Sequence, residues 1–194
     1  IITDLKLFSE KNKRVDDSPF GGGPGMVIKP DVIDRALLSL KPNDFPIYYL
    51  SPRGIKLDNQ ISNSISKLDG MTLVCGKYEG VDERVIKHYN MIEISIGDYV
   101  LSGGDLAAMV LIDSVVRCLP NVLGNPLTLN EESFTNHLLE YPLYTQPREW
   151  KNYKVPDVLL SGDHKKIKNW KIKQSEDITM KRRPDLWKKY LKLK

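Results

Sequence analysis

Three short apolar runs, Phe45–Leu50, Met71–Cys75 and Ile92–Ile96, are each followed by a glycine-bearing loop and then by residues that suit a helix. This alternation constrains the fold more than any other feature of the chain. The first two runs are bounded by turn residues and read as buried strands, and the third alternates around Glu93 and Ser95. Among the helices, Pro30-Asp31 opens one that extends to Leu40, and Asp58 can cap another carrying Ile61, Ile65 and Leu68. Asp82–Tyr89 forms a third, and the longest runs from about Gly104 to Cys118. Strands alternating with helices predict an α/β fold with a parallel sheet, in which ligands bind at the loops leaving the carboxyl ends of the strands. Three loops occupy that position: Ser51–Gly54, Gly76–Gly80 and Gly97–Gly104. None of them is a P-loop or a dinucleotide-binding glycine fingerprint.

From about Gly124 to Glu131 the composition turns to Asn, Pro, Thr and Glu, which reads as a linker. The remainder reads as all-helical, with helices predicted from Ser133 to Leu139, from Asp163 through the basic stretch His164–Lys173, and from Pro184 to Leu193. In the basic helix Ile167 and Trp170 are expected to face inward. The expected division is therefore a ligand-binding domain over residues 1–123, a linker over 124–132 and a small helical domain over 133–194.

A formal charge of +4 conceals an uneven distribution. Residues 148–194 carry 15 Lys/Arg against 6 Asp/Glu, a net of +9, whereas residues 1–147 carry 14 against 19, a net of −5. Composition alone fits two readings equally: an element that meets a polyanion, or a solvated helix surface. No apolar run approaches the roughly 18–20 residues needed to span a bilayer. Cys75 and Cys118 lie inside apolar runs without a CxxC partner or a histidine at ligand spacing. They read as buried free thiols of a reducing, cytoplasmic setting, and no metal site is predicted.

Four strings in this chain closely resemble the bacterial tRNA (guanine-N1)-methyltransferases of the SPOUT superfamily. They are Asp16-Asp17-Ser18-Pro19-Phe20-Gly21-Gly22-Gly23-Pro24-Gly25-Met26, Tyr49-Leu50-Ser51-Pro52, Cys75-Gly76-Lys77-Tyr78-Glu79-Gly80-Val81-Asp82-Glu83-Arg84, and Ser95-Ile96-Gly97-Asp98-Tyr99-Val100-Leu101-Ser102-Gly103-Gly104. The strings Leu111–Arg117 and Val155–Gly162 extend the match, which runs from about Asp16 to Trp187 in the family's order and spacing. The resemblance implies a parallel sheet closed by a C-terminal trefoil knot, one of the rare exceptions to unknotted topology. It further implies a flexible linker, a small helical domain, and a homodimer whose active sites are each completed by both subunits. The implied reaction moves a methyl group from S-adenosylmethionine to N1 of the guanosine 3′ of the anticodon, at tRNA position 37. Magnesium is a further implied aid, on which family members often depend.

That chemistry needs an electrophilic methyl group, an acceptor for the N1 proton, and stabilisation of charge developing toward O6. By resemblance, the donor is held by Tyr49, Leu50, Ser51 and Pro52, by Gly76, Tyr78 and Glu79, and by the stretch Ser95, Ile96, Gly97, Asp98, Tyr99, Val100 and Leu101 with Gly103 and Gly104. Glycine lets backbone approach a ligand, and Tyr78, Ile96, Tyr99 and Leu101 can supply apolar walls. The carboxylate of Glu79 also reads as a solvated loop charge. Arg117 is assigned to the guanine O6, although Asp113 and Arg117 also form an ordinary i,i+4 arrangement. Glu132 stands where the family has an aspartate before Ser-Phe, and so takes the place of the general base. The other reading of Glu132 is a charge that favours a helix N-terminus. Asp16 and Gly25 are expected on the guanine side. Lys165, Lys166, Lys168, Arg182 and Arg183, with Lys171 and Lys173, are candidates for RNA phosphates.

The chain departs from the family pattern at Asp105-Leu106-Ala107, where Glu-Leu-Pro is usual, at Ser18 and Phe20, and at Gln146. Only about 15 residues precede Asp16, fewer than the family's opening strand and helix: either the chain is a fragment of a longer one, or the sheet is expected to lack a strand. Two other readings are a SPOUT-type methyltransferase acting on another RNA, and a catalytically impaired RNA-binding module.

Overall fold

A computed structural model describes residues 1–10, 14–40, 45–124 and 132–194. The chain divides into two compact units, Ile1–Val122 and Leu123–Lys194. The predicted linker falls almost wholly outside the described residues.

In the first unit a short antiparallel pair, β1 (Asp16–Asp17) and β2 (Val27–Ile28), precedes α1 (Pro30–Ser39). Pro30 begins α1, where a missing N–H costs nothing. Then follow β3 (Ile47–Lys56), α2 (Asn59–Ile65), β4 (Thr72–Cys75), α3 (Glu83–His88), β5 (Ile92–Ser95) and α4 (Gly104–Val116). Aspartates start two of these helices. Asp58 accepts from the Ile61 amide at 2.9 Å, and Asp82 accepts from the Arg84 amide at 2.8 Å. The three longer strands form a parallel sheet in the order β4-β3-β5, so the chain crosses over the central strand to reach β5.

Alternation along β3 sorts the core into two layers. Tyr49 points to one face and joins Ile28, Ile33, Val74, Val85 and Ile86 beneath α1 and α3. Tyr48 and Leu50 point to the other face and join Ile65, Ile94, Ala108, Leu111 and Val115 beneath α2 and α4. Ile94 and Leu111 are fully buried, so the second layer closes tightly where β5 meets α4. On the first face Tyr89, just past α3, donates its hydroxyl to Asp34 of α1 at 2.5 Å. That hydrogen bond, with burial, pushes the phenol up to about 12. Tyr89→Phe is expected to lower stability by about 1 kcal/mol at neutral pH. A folded-state value above the ordinary 10.0 means the contribution is complete below pH 10 and is lost as pH rises through 12. Denaturation of both proteins across that range should therefore show the two curves converging. A gap that widens with pH would contradict the assignment.

The second unit departs from the all-helical expectation. It contains an antiparallel hairpin of β6 (Glu149–Trp150) and β7 (Tyr153–Lys154) ahead of α5 (Asp157–Leu160), α6 (His164–Arg182) and α7 (Pro184–Tyr190). Lys151 and Asn152 both take left-handed backbone, the pairing that a two-residue hairpin turn requires. The helix predicted over Ser133–Leu139 is only a single turn of 3-10 helix at Thr135–His137. Phe134, Asn136 and His137 have left-handed φ there, which a helix cannot accommodate. Asp163 accepts from the amides of Lys165 and Lys166 at 3.1 Å and starts α6, which continues well beyond Lys173. Ile167 and Trp170 are half-buried along it, in line with the buried Ser175 and Thr179.

Candidate active site

The parallel strands finish together. Leu50 of β3 lies opposite Cys75 of β4 and Ile94 of β5, so the segments that follow all emerge at one edge of the sheet. Ser51–Gly54 is not a free loop, as its Pro and Gly suggested, but a bulge inside β3. Leu50 and Ile55 both register with Ile94, and the four residues between them leave the ladder. Pro52 has no N–H to offer the ladder, which suits it to this position. Gly54 brings the strand back: a Cβ there would run into the Glu93 and Ile94 backbone. Gly54→Val is therefore expected to detach the end of β3 from β5 and to cost about 2 kcal/mol or more. Chemical denaturation checks it, and an unchanged midpoint would mean that the bulge tolerates a side chain.

The other two segments are tied to one another. The Gly104 amide donates to the Gly76 carbonyl at 2.7 Å, and Lys77 and Gly103 form an antiparallel bridge. Within the third segment, Ser95 Oγ donates to the Gly97 carbonyl at 3.1 Å and the Tyr99 hydroxyl donates to the Ile96 carbonyl at 3.2 Å. From the other side, β2 joins the second segment through Glu79 N–H to the Met26 carbonyl (3.0 Å) and Ile28 N–H to the Gly80 carbonyl (2.9 Å). Tyr78 is held at φ 60 within this segment, a left-handed conformation sparsely used by side-chain-bearing residues and concentrated at functional sites.

These segments surround one open cavity of about 1030 Å³ in the first unit. Its lining includes Tyr49, Leu50, Ser51, Pro52, Gly76, Tyr78, Glu79, Ser95, Ile96, Gly97, Tyr99, Val100, Leu101, Gly103 and Gly104. Asp98 is not part of the wall; its carboxylate is exposed and lies 3.6 Å from Lys56 Nζ. Asp16 and Gly25 lie just behind the wall. Asp16 pairs in register with Ile28, a lining residue, and Gly25, at φ +88, has the Glu79 side chain where its own Cβ would be.

Four cations line the cavity that the sequence reading did not single out: Lys29, Arg53, Lys77 and Arg84. Arg53 reaches Glu83 at 3.1 Å and Glu93 at 3.3 Å, fastening the bulge to α3 and β5. Its hydrogen bond to Glu83 and the charge of Glu93 raise the guanidinium further. The side-chain bond from Arg84 holds the Asp82 carboxyl below its usual range. Lys77 and Arg84 were within reach of the sequence, since they belong to the string Cys75–Arg84. Burial, helped by Asp105, raises the Cys75 thiol, which is therefore a poor nucleophile near neutral pH. Among the described residues, no group of three or more His, Cys, Asp or Glu could hold a metal ion, and no helix is long and apolar enough to cross a membrane.

Arg117 ends α4, and its amide donates to the Asp113 carbonyl at 3.2 Å. Gly104, at the other end of the same helix, is in the cavity wall. At 1.5 Å per residue the two ends are about 20 Å apart, beyond the reach of an arginine side chain. The face of α4 between them exposes Leu106, Met109, Val110, Ile112 and Val116. Glu132 lies in the second unit, half-buried, and its carbonyl accepts from the Thr135 amide at 3.2 Å. Lys165, Lys168 and Arg182 are exposed on α6, Lys166 is 3.3 Å from Asp163, and Arg183 is held by Asp185.

Comparison with known proteins places this geometry. Residues 2–189 match the family described as tRNA (Guanine-1)-methyltransferase TrmD. Over 98% of its length the chain is 53% identical to a protein of Pelagibacter ubique described as tRNA (guanine-N(1)-)-methyltransferase, of which it spans 86%. Proteins with the same description from Rhodospirillum rubrum and Ruegeria pomeroyi are 52% and 50% identical over 97% of the chain, which spans 79% of each. With the match running through the sheet, the cavity segments and the second unit alike, the chain belongs to the tRNA (guanine-1)-methyltransferase family.

Proposed function

We propose that this chain transfers a methyl group from S-adenosylmethionine to N1 of guanosine 37 in tRNA. The observation that carries the reading is the convergence of three strand-end segments, each bearing a family string, on one cavity. The cavity fits the donor in size and character. Its volume is at the upper end of small-molecule sites, and Leu50, Ile96 and Leu101 give it apolar walls. The absence of a Cβ at Gly104 lets the third segment lie directly on the Cys75–Gly76 backbone, which fixes the cavity wall. When bound, the donor supplies the electrophilic methyl. Backbone of Tyr49–Pro52 reads the adenine edge, and the stretch from Ile96 to Leu101 encloses the rest.

Three of the chain's groups act on the base. Glu132 accepts the N1 proton, Arg117 offsets charge gathering on O6, and Asp16 accepts from the exocyclic amino group, beside Gly25 packed on Glu79. The distance along α4 supports a homodimer in which Arg117 serves the partner's cavity, and the apolar face of that helix supports α4 as its contact. The trefoil knot belongs to the same reading, as do a second unit that binds tRNA and cytoplasmic action on that tRNA. The exposed cations Lys165, Lys168 and Arg182 support phosphate contacts, with Lys166 and Arg183 joining once their acidic partners are displaced.

Methyl transfer to paired transcripts tests the proposal: one tRNA with guanosine at position 37 and the same tRNA with adenosine there. Incorporation into the first alone is expected. Equal incorporation into both would favour a methyltransferase acting elsewhere on RNA, and donor binding without turnover would favour an RNA-binding module.

A further inference from the structure

The hairpin β6–β7 has no part in the reaction as described, yet its surface is unusual. Trp150 and Tyr153 are cross-strand partners on either side of the two-residue turn, so their side chains share one face. Both are well exposed, at 59% and 76%. Large aromatics are seldom left open to water on so small an element without a partner. The surrounding charge indicates what kind of partner. Lys151 lies over the Trp150 ring at 4.9 Å from its centroid and Arg148 stands beside the pair, while Lys154 points to the opposite face and lies 3.7 Å from Glu149. The Val155 amide donates to the Arg148 carbonyl at 3.0 Å, which extends the pairing and puts Arg148 on the aromatic face. Arg148 and Val155 then line a hollow of about 210 Å³ beside that face, together with Tyr144 and Gln146. Burying these cations against an apolar partner would cost their hydration, whereas a phosphate-bearing strand is drawn to them.

We propose that the Trp150–Tyr153 face is a stacking platform for an unpaired nucleotide of the RNA substrate, with Lys151 and Arg148 on its phosphates. The proposal rests on the functional reading above and adds a contact to it. Aromatic faces beside cations bind unstacked bases with little dependence on sequence. A left-handed two-residue turn presents them on a rigid element, so little ordering is required when RNA arrives.

The test uses the full chain and an unmodified tRNA transcript with guanosine at position 37. Trp150→Ala is expected to weaken tRNA binding by about 10- to 100-fold, with the change appearing in KM for tRNA and with donor binding unaltered. Trp150→Phe should restore most of the loss, and Tyr153→Ala should give a smaller one. The slope of binding against salt should be unchanged in Trp150→Ala and lowered by about one in Lys151→Ala, which separates stacking from phosphate contact. Undiminished tRNA binding by a Trp150→Ala protein that still binds donor would overturn the platform alone. Loss of a dimer in that variant would also overturn it, by making the face a contact between copies. A wild-type chain that binds donor but no tRNA would overturn the platform and the functional reading together.

Discussion

Replacing Glu132 with Gln is expected to slow single-turnover methyl transfer by about 10²- to 10⁴-fold while leaving donor and tRNA binding within about twofold. Glutamine keeps the length and the hydrogen-bonding capacity of glutamate but cannot accept a proton. Any structural service that Glu132 gives the start of the second unit is thus largely retained, and the loss reports on the proton itself. Glu132→Asp is the informative companion. It restores the family's usual residue but shortens a side chain that the rest of this protein accommodates. Partial activity in it, with Gln inactive, would identify the carboxylate as the acceptor. Near-normal chemistry in Glu132→Gln would move the acceptor role elsewhere and leave Glu132 as a charge near the Thr135–His137 turn.

The largest expected effect on stability is at Leu111. Its side chain is fully buried between α4 and the sheet, against a layer that includes Tyr48, Leu50, Ile94 and Ala108. Leu111→Ala removes that burial and leaves a cavity, at a cost of about 2–5 kcal/mol. Leu50 also lines the cavity, so loosening its support should weaken donor binding as well. Chemical denaturation reads the first effect and donor titration the second. An exposed neighbour on the same helix, Met109→Ala, should change either by far less in the monomeric unit. Equal effects at the two positions would contradict the layering described for the first unit.

The sheet was legible in the sequence because each strand is a short apolar run with a helix after it, and because Asp58 carries its capping chemistry in plain view. The bulge was not. Ser51-Pro52-Arg53-Gly54 contains the residues of a loop, and β3 resumes only because Gly54 lets its backbone lie directly on β5, a contact distant in sequence. The hairpin was missed for a related reason. Its strands are two residues each, and the Lys151-Asn152 turn lacks the glycine that usually announces such geometry. Arg53 escaped notice because its partners, Glu83 and Glu93, come from two other elements. The site strings gathered as a group, whereas Arg117 lies at the far end of α4 and Glu132 in the other unit. The roles proposed for them rest on a proposed assembly rather than on their own surroundings, and no local pattern encodes that.

The central claim is methylation of guanine N1 beside the anticodon. It is tested most directly by incubating the chain with S-adenosylmethionine and an unmodified tRNA carrying guanosine 37, then digesting the RNA and separating its nucleosides by mass and retention. One equivalent of 1-methylguanosine per tRNA, absent when position 37 is adenosine, is the expected result. A methylated nucleoside of any other kind, or no methylated nucleoside from a chain shown to bind both donor and tRNA, would contradict the account.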